Sequence, residues 1–191
     1  MVFLLFGLLY LYTSLFGKYK IIERVVGRLH FNGDEQVLDL GTGHGAFLIE
    51  IAKRLHASGK AIGLDIWNQG DQLGNAESET QRNIDHLGVS SVTELVTGDM
   101  TSLKFEDNRF DYVVASMSIH NVKPKSSREH SIDEAYRVLK PGGKIIILDI
   151  EHIGEYRSRL QQIGIKKISV QHGGIEGMYG ALSTRILIGV K

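Results

Sequence analysis

Residues 37–45 read Val37-Leu38-Asp39-Leu40-Gly41-Thr42-Gly43-His44-Gly45, an apolar run that enters a glycine-rich turn. Gln36 to Leu40 has the length and apolar character of a buried parallel strand. Beyond the turn, Ala46, Ile49, Ala52 and Leu55 recur at helical spacing, with Phe47 and Ile51 beside them. Glycines at 41, 43 and 45 admit positive φ and a close approach of the backbone to a ligand. A helix beginning near His44 aims unpaired N–H groups and a partial positive charge at the same point. The backbone of Gly41, Thr42, Gly43, His44 and Gly45 is therefore a candidate cradle for a polar or anionic ligand group, with His44 offering its backbone rather than its ring.

The dinucleotide fingerprint is Gly-x-Gly-x-x-Gly, whereas this chain has Asp39-x-Gly41-x-Gly43-x-Gly45. A carboxylate two residues before the first glycine suits an ammonium better than a pyrophosphate. A second strand, Lys60 to Leu64, ends in Asp65, where an acid accepts both hydroxyls of a ribose. An NAD enzyme places an acid there too, so a third element is needed to separate the cases. A third strand, Leu95 to Met100, carries Asp99, suited to an adenine amino group, and Ile66 packs on the adenine. A fourth strand, Phe110 to Ala115, leads into Ser116, and a fifth runs from Ile145 to Ile150. Ammonium, ribose diol and adenine together describe S-adenosylmethionine.

With Val37-Leu38-Asp39-Leu40-Gly41-Thr42-Gly43-x-Gly45, Phe110-Asp111-x-Val113 followed by His120-x-Val122, and Arg137-Val138-Leu139-Lys140-Pro141-Gly142-Gly143 in order, the chain resembles the class I S-adenosylmethionine-dependent methyltransferases over residues 35–150. The resemblance implies an α/β fold, a Rossmann-like three-layer sandwich around a mostly parallel seven-stranded sheet with an antiparallel last strand. It implies S-adenosylmethionine as cofactor, held by Asp39, Gly41, Thr42, Gly43, His44, Gly45, Asp65, Ile66, Asp99, Met100 and Ser116. A methyltransferase domain over residues 18–191 and a separate apolar segment over 1–17 are expected. An NAD(P)-binding Rossmann enzyme and a catalytically inactive S-adenosylmethionine-binding protein are the alternatives.

In an open α/β sheet ligands bind beyond the carboxyl ends of the strands. The loops there hold Trp67 to Asn75, Ser116 to Lys123, Glu151 to His152, and His172 to Tyr179. Trp67, Asn121, His152, His172 and Tyr179 are the candidate acceptor-binding residues, although Trp67 also fits as a side chain packing the strand end. Methyl transfer from a sulfonium needs chiefly an in-line nucleophile, and a base only for an acceptor that must lose a proton. His120, just past the fourth strand, is the candidate, because an imidazole titrates near neutral pH. No His-x-His, helical His-x-x-x-His or cysteine set suggests a metal, and Asn/Asp-Pro-Pro-Tyr, the pattern of amino methylation, is absent from residues 115–121. A small-molecule or lipid acceptor is expected.

Zero cysteines among 191 residues exclude a disulfide framework and a thiol nucleophile. With 42% hydrophobic residues the chain can fill one domain's core. Its 22 basic and 22 acidic residues, without a long basic run, argue against a nucleic-acid partner. Met1 to Phe16 carry no charge and are dominated by leucine and aromatic residues. That run is shorter than the ~20 residues that span a bilayer and lacks the basic start of a signal peptide. Lys18, Lys20, Arg24 and Arg28 follow it. Two readings stand: a membrane contact with the enzyme domain on the cytoplasmic side, or a helix that covers the core or a dimer contact. Lys18 to His30 reads as an amphipathic helix with Ile22, Val25, Val26 and Leu29 on one face.

Overall fold

The computed structural model describes residues 2–56, 58–70 and 74–191, and side chains there except those of Val2, Phe3 and Leu5. Residues 71–73 of the expected cleft rim lie outside the described residues. Seven strands form one sheet: β1 (Gln36–Leu40), β2 (Lys60–Asp65), β3 (Thr93–Thr97), β4 (Phe110–Ser116), β5 (Leu139–Asp149), β6 (Lys167–His172) and β9 (Arg185–Val190). A two-residue hairpin, β7 (Met178–Tyr179) with β8 (Leu182–Ser183), lies between β6 and β9. The spatial order is β3-β2-β1-β4-β5-β9-β6. β1 to β5 pair in parallel, and β9 runs antiparallel between β5 and β6. The expected Rossmann-like architecture is the one observed.

Because successive side chains of a strand face opposite ways, β1 feeds two cores. Val37 joins the layer formed with helices α2 (Lys18–Val26), α3 (Ala46–Ala52) and α4 (Glu77–His86). Leu38 and Leu40 join the layer formed with α5 (Lys125–Val138) and α6 (Ile153–Gln162). Central strands buried on both faces have no room for polar residues without partners. Asp39, in the middle of β1 and only 2% exposed, is thus a conspicuous exception.

Three boundaries differ from the sequence reading. The third strand stops at Thr97, so Asp99 and Met100 stand on the loop beyond it. Leu139 to Lys144 is part of β5 rather than a preceding turn, because Leu139 pairs with Phe110 across an irregularity in the ladder. Helix α3 starts at Ala46 rather than near His44, since its N-cap, Gly45, sits in the left-handed region at φ 81°.

From Val2 to Val26 the chain is helical. α1 (Val2–Tyr12) passes through a π-helical turn, Thr13–Gly17, into α2. The wide turn is where the segment changes environment. α2 buries Ile21, Ile22, Val25 and Val26, and Leu29 follows them into the core. By contrast, Leu4, Leu8 and Leu11 of α1 and Leu15 and Phe16 of the turn are each more than half exposed. The turn itself is fixed by β7 and the residues just before it: Thr13 Oγ1 donates to the Met178 carbonyl at 2.8 Å, and a Cβ on Gly17 would overlap the Glu176 carbonyl. Arg24 adds an ion pair to Glu176 at 2.9 Å and a hydrogen bond to the Gly173 carbonyl at 2.9 Å. Among the described residues no helix is long and apolar enough to cross a membrane.

Candidate active site

The strand order reverses between β1 and β4, which opens a crevice at their carboxyl ends. The glycine turn after β1 and the segment Met117–Asn121 after β4 border it. Gly41 takes φ +69°, and a Cβ there would overlap the Ser118 side chain and lie 3.1 Å from Met100 Cε. Only glycine therefore lets the two loops meet. Ser118 Oγ ties them by donating to the Leu40 carbonyl at 2.7 Å. Met100, from the loop after β3, thus reaches the turn. Ser116 ends β4 opposite Leu148.

Asp39 lies under this turn. Its Oδ2 accepts from Thr42 Oγ1 at 2.8 Å and from the Leu48 N–H at 3.2 Å, while Oδ1 is buried and has no hydrogen-bond partner. Burial pushes the carboxyl up from 3.8 to about 7, more than these two hydrogen bonds pull it down. An uncompensated buried acceptor is costly, and a donor supplied by a ligand removes the cost.

Asp65 ends β2 and faces the same turn. Oδ2 accepts from the Gly43 N–H at 2.8 Å; Oδ1 accepts from the Trp67 N–H at 2.7 Å and from Asn75 Nδ2 at 3.2 Å. Trp67 adopts φ 58°, and its indole Nε1–H donates to Thr97 Oγ1 at 2.8 Å, so the ring is tied to the end of β3. That is the strand-end packing role, reached through a hydrogen bond. Ile66 is exposed on this rim, and exposed Asp99 accepts from the Thr101 N–H at 2.8 Å, closing its own turn. The His44 ring lies against the loop after β2, with Nε2 3.2 Å from the Gly74 carbonyl.

Across the crevice, His120 Nδ1 lies 2.6 Å from Asp149 Oδ1. Asp149 is fully buried at the end of β5; its Oδ1 also accepts from the Ile150 N–H at 2.8 Å, and Oδ2 accepts from Tyr156 OH at 3.2 Å. Burial and this neighbouring carboxylate drive the Tyr156 phenol far above its ordinary range, so it stays a donor. His120 is therefore oriented by a carboxylate that is itself held by two donors.

The candidate acceptor residues divide. Asn121 is exposed on the short 3₁₀ turn that carries His120. His152, at φ 57°, caps α6 with Nδ1 3.2 Å from Glu155 Oε1, and its ring meets Tyr156 edge-on. Tyr179 lies further off, on β7, against Tyr10 of α1 with ring centroids 5.5 Å apart. His172 is exposed at the end of β6, opposite Arg185. Ser118, Asn75, Asp149 and Tyr156 escaped the sequence reading. Asp149 alone carried a signal, an acid ending the apolar run 145–148.

Among the described residues no group of three His, Cys, Asp or Glu side chains gathers as a metal site. An orphaned buried carboxylate oxygen for an ammonium, a turn that admits no side chain at Gly41, and an acid at the end of β2 fit S-adenosylmethionine.

A family model described as a methyltransferase domain matches residues 38–147. Demethylmenaquinone methyltransferase of Lactiplantibacillus plantarum is 32% identical over 127 residues, covering 66% of this chain and 50% of that protein. The ubiquinone/menaquinone biosynthesis C-methyltransferase UbiE of Geobacter sp. is 33% identical over 124 residues, covering 65% and 49%. The chain thus spans about half the length of the curated relatives it matches. Among solved structures, a SAM-dependent methyltransferase from Aquifex aeolicus superposes with a TM-score of 0.66 at 18% identity, covering 89% of each chain.

Proposed function

Since the chain belongs to the methyltransferase domain family, we propose that the protein transfers a methyl group from S-adenosylmethionine to a carbon of a lipid-like quinol and that α1 meets the membrane in which such an acceptor dissolves. The observation that carries the reading is the pair of half-buried His120 with buried Asp149 at the crevice that also holds Asp39 and Asp65. When bound, the cofactor supplies an electrophilic methyl on a sulfonium. Asp39 and the 41–45 backbone hold its amino-acid end, Asp65 the ribose, and Ile66, Asp99 and Met100 the adenine side, with Ser116 at the strand end.

With its Nδ1 held against Asp149, the His120 imidazole is the group placed to take a proton from the acceptor. Taking the proton of a ring hydroxyl raises electron density at the neighbouring carbon. With the cofactor bound, methylation of that carbon would give the ring-methylated product, the carbon's own proton passing to solvent as the ring regains aromaticity. Both relatives named above are quinone-pathway methyltransferases by name, which supports this acceptor class. Asn121 and His152, flanking His120 and Asp149, and Trp67 on the opposite rim are its candidate contacts, with Tyr179 and His172 further out.

The exposed leucines of α1, its neighbour Phe16 and the following Lys18 and Lys20 support a contact parallel to the bilayer, where apolar burial and attraction to anionic headgroups act on adjacent stretches. The test uses purified full-length protein, S-adenosylmethionine and a reduced, short-chain demethylmenaquinone in detergent micelles. Formation of S-adenosylhomocysteine with the ring-methylated product is expected. Turnover with another acceptor class alone overturns the quinol; failure to bind S-adenosylhomocysteine overturns the whole reading.

A further inference from the structure

An acid ending β2 is the usual sole acceptor for both ribose hydroxyls, yet Asp65 has little capacity left. A carboxylate offers about four acceptor positions, two on each oxygen. Oδ1 already accepts two N–H groups, from Trp67 and Asn75, and Oδ2 accepts one, from Gly43. One position remains, on Oδ2, while a ribose diol brings two donors.

The second acceptor is within the same cluster. Asn75 is 4% exposed, and its Oδ1 is buried without a hydrogen-bond partner. The amide cannot turn over to relieve this, because Asp65 Oδ1 only accepts and so requires the Nδ2 side. Asn75 follows Gly74, whose carbonyl meets the His44 ring of the glycine turn, so both sides of this loop end are fixed. Asp39 Oδ1 and Asn75 Oδ1 are the two buried side-chain oxygens without a hydrogen-bond partner among the described residues, and the second belongs to a side chain already bonded to Asp65.

We infer that Asn75 is a cofactor-binding residue that splits recognition of the ribose with Asp65: one hydroxyl donates to Asp65 Oδ2 and the other to Asn75 Oδ1. The inference rests on the S-adenosylmethionine reading of the site. Its test is calorimetric binding of S-adenosylhomocysteine and its 2′-deoxy and 3′-deoxy analogues to wild type and Asn75→Ala, with thermal unfolding of each free protein as a check on folding.

Each deoxy analogue should bind wild type about tenfold or more weakly than the parent. Asn75→Ala should weaken the parent by a similar factor, yet leave affinity for one of the two analogues nearly unchanged, because the hydroxyl that Asn75 accepts is already missing. Equal weakening of all three ligands by Asn75→Ala would overturn the inference, since Asn75 would then act only by steadying Asp65. If Asn75→Ala fails to fold, Asn75→Ser carries the same comparison. Wild type that tolerates loss of either hydroxyl overturns the inference without any variant, while wild type that binds no S-adenosylhomocysteine removes the cofactor reading itself.

Discussion

At the scale of single residues, the site is organised by carboxylates whose surroundings differ. Asp39 has its ionised form penalised by burial, so that it titrates near pH 7. Between its ordinary value of 3.8 and about 7, the folded protein holds a proton that the unfolded chain has lost. Its contribution to stability is therefore greatest at low pH and declines as pH rises through that window, levelling above about 7. An ammonium beside Oδ1 favours the ionised form, so ligand binding at pH 6 should release a proton. Affinity for S-adenosylhomocysteine should fall toward tenfold per unit as pH drops below about 7. Titration calorimetry at pH 6, 7 and 8, in buffers of differing ionisation heat, measures both effects, and Asp39→Asn should abolish them. Asp149 acts differently, through His120. Asp149→Asn should lower kcat by about 10²-fold or more, leave the dissociation constant for S-adenosylhomocysteine within a factor of about two, and change the pH–rate profile. A loss confined to binding would assign Asp149 to structure alone.

The same residues show where sequence stops being legible. Gly41, Gly43 and Asp65 are readable because backbone conformation or strand position dictates their type. Asn75 and Ser118 are not, because their roles depend on which loops meet across the sheet. That meeting is decided by tertiary register, as in the fit of Ser118 against Gly41.

At the scale of elements, strands β1, β2 and β4 follow from their apolar runs, since central parallel strands leave few alternatives. The end of β3 and the extension of β5 back to Leu139 did not, being set by pairing with β2 and β4 rather than by composition. The amphipathic helix expected after residue 17 is α2, which covers the core, while the leucines of α1 within the 1–17 segment stay exposed. Deleting residues 2–12 while keeping the turn at 13–17, which Met178 and Glu176 secure, should leave affinity for S-adenosylhomocysteine within about twofold and shift the melting temperature little, because exposed residues contribute little burial. Sedimentation with vesicles containing anionic lipid should be lost in that variant. Full-length protein that ignores such vesicles refutes the membrane contact, whereas unfolding of the truncated form would return α1 to the core.

At the scale of the whole molecule, the crevice joins loops from β1, β2, β4 and β5, so a ligand seated there links both halves of the sheet. S-adenosylhomocysteine at about 100 times its dissociation constant should stabilise the fold by about 2.7 kcal/mol. For a domain of this size that raises the melting temperature by roughly 5–10 °C, read by scanning calorimetry with NAD as a comparison. A rise with NAD alone would transfer the site to the dinucleotide reading.

The antiparallel β9 lies between β5 and β6, although it follows both in the chain. As the polypeptide leaves the ribosome, β5 therefore waits with an open edge, and β6 has no neighbour until residues 185–190 have emerged. Every parallel strand can be laid down in a half-finished sheet, but β6 cannot. The segment 173–178, which receives Arg24 and the turn at 13–17, lies in the chain between β6 and β9. Completion of the sheet and docking of the amino-terminal helix thus become late, linked events. Under the proposed membrane contact, the exposed leucines of α1, which precede the sheet in the chain, would then be able to meet a bilayer before the domain has closed.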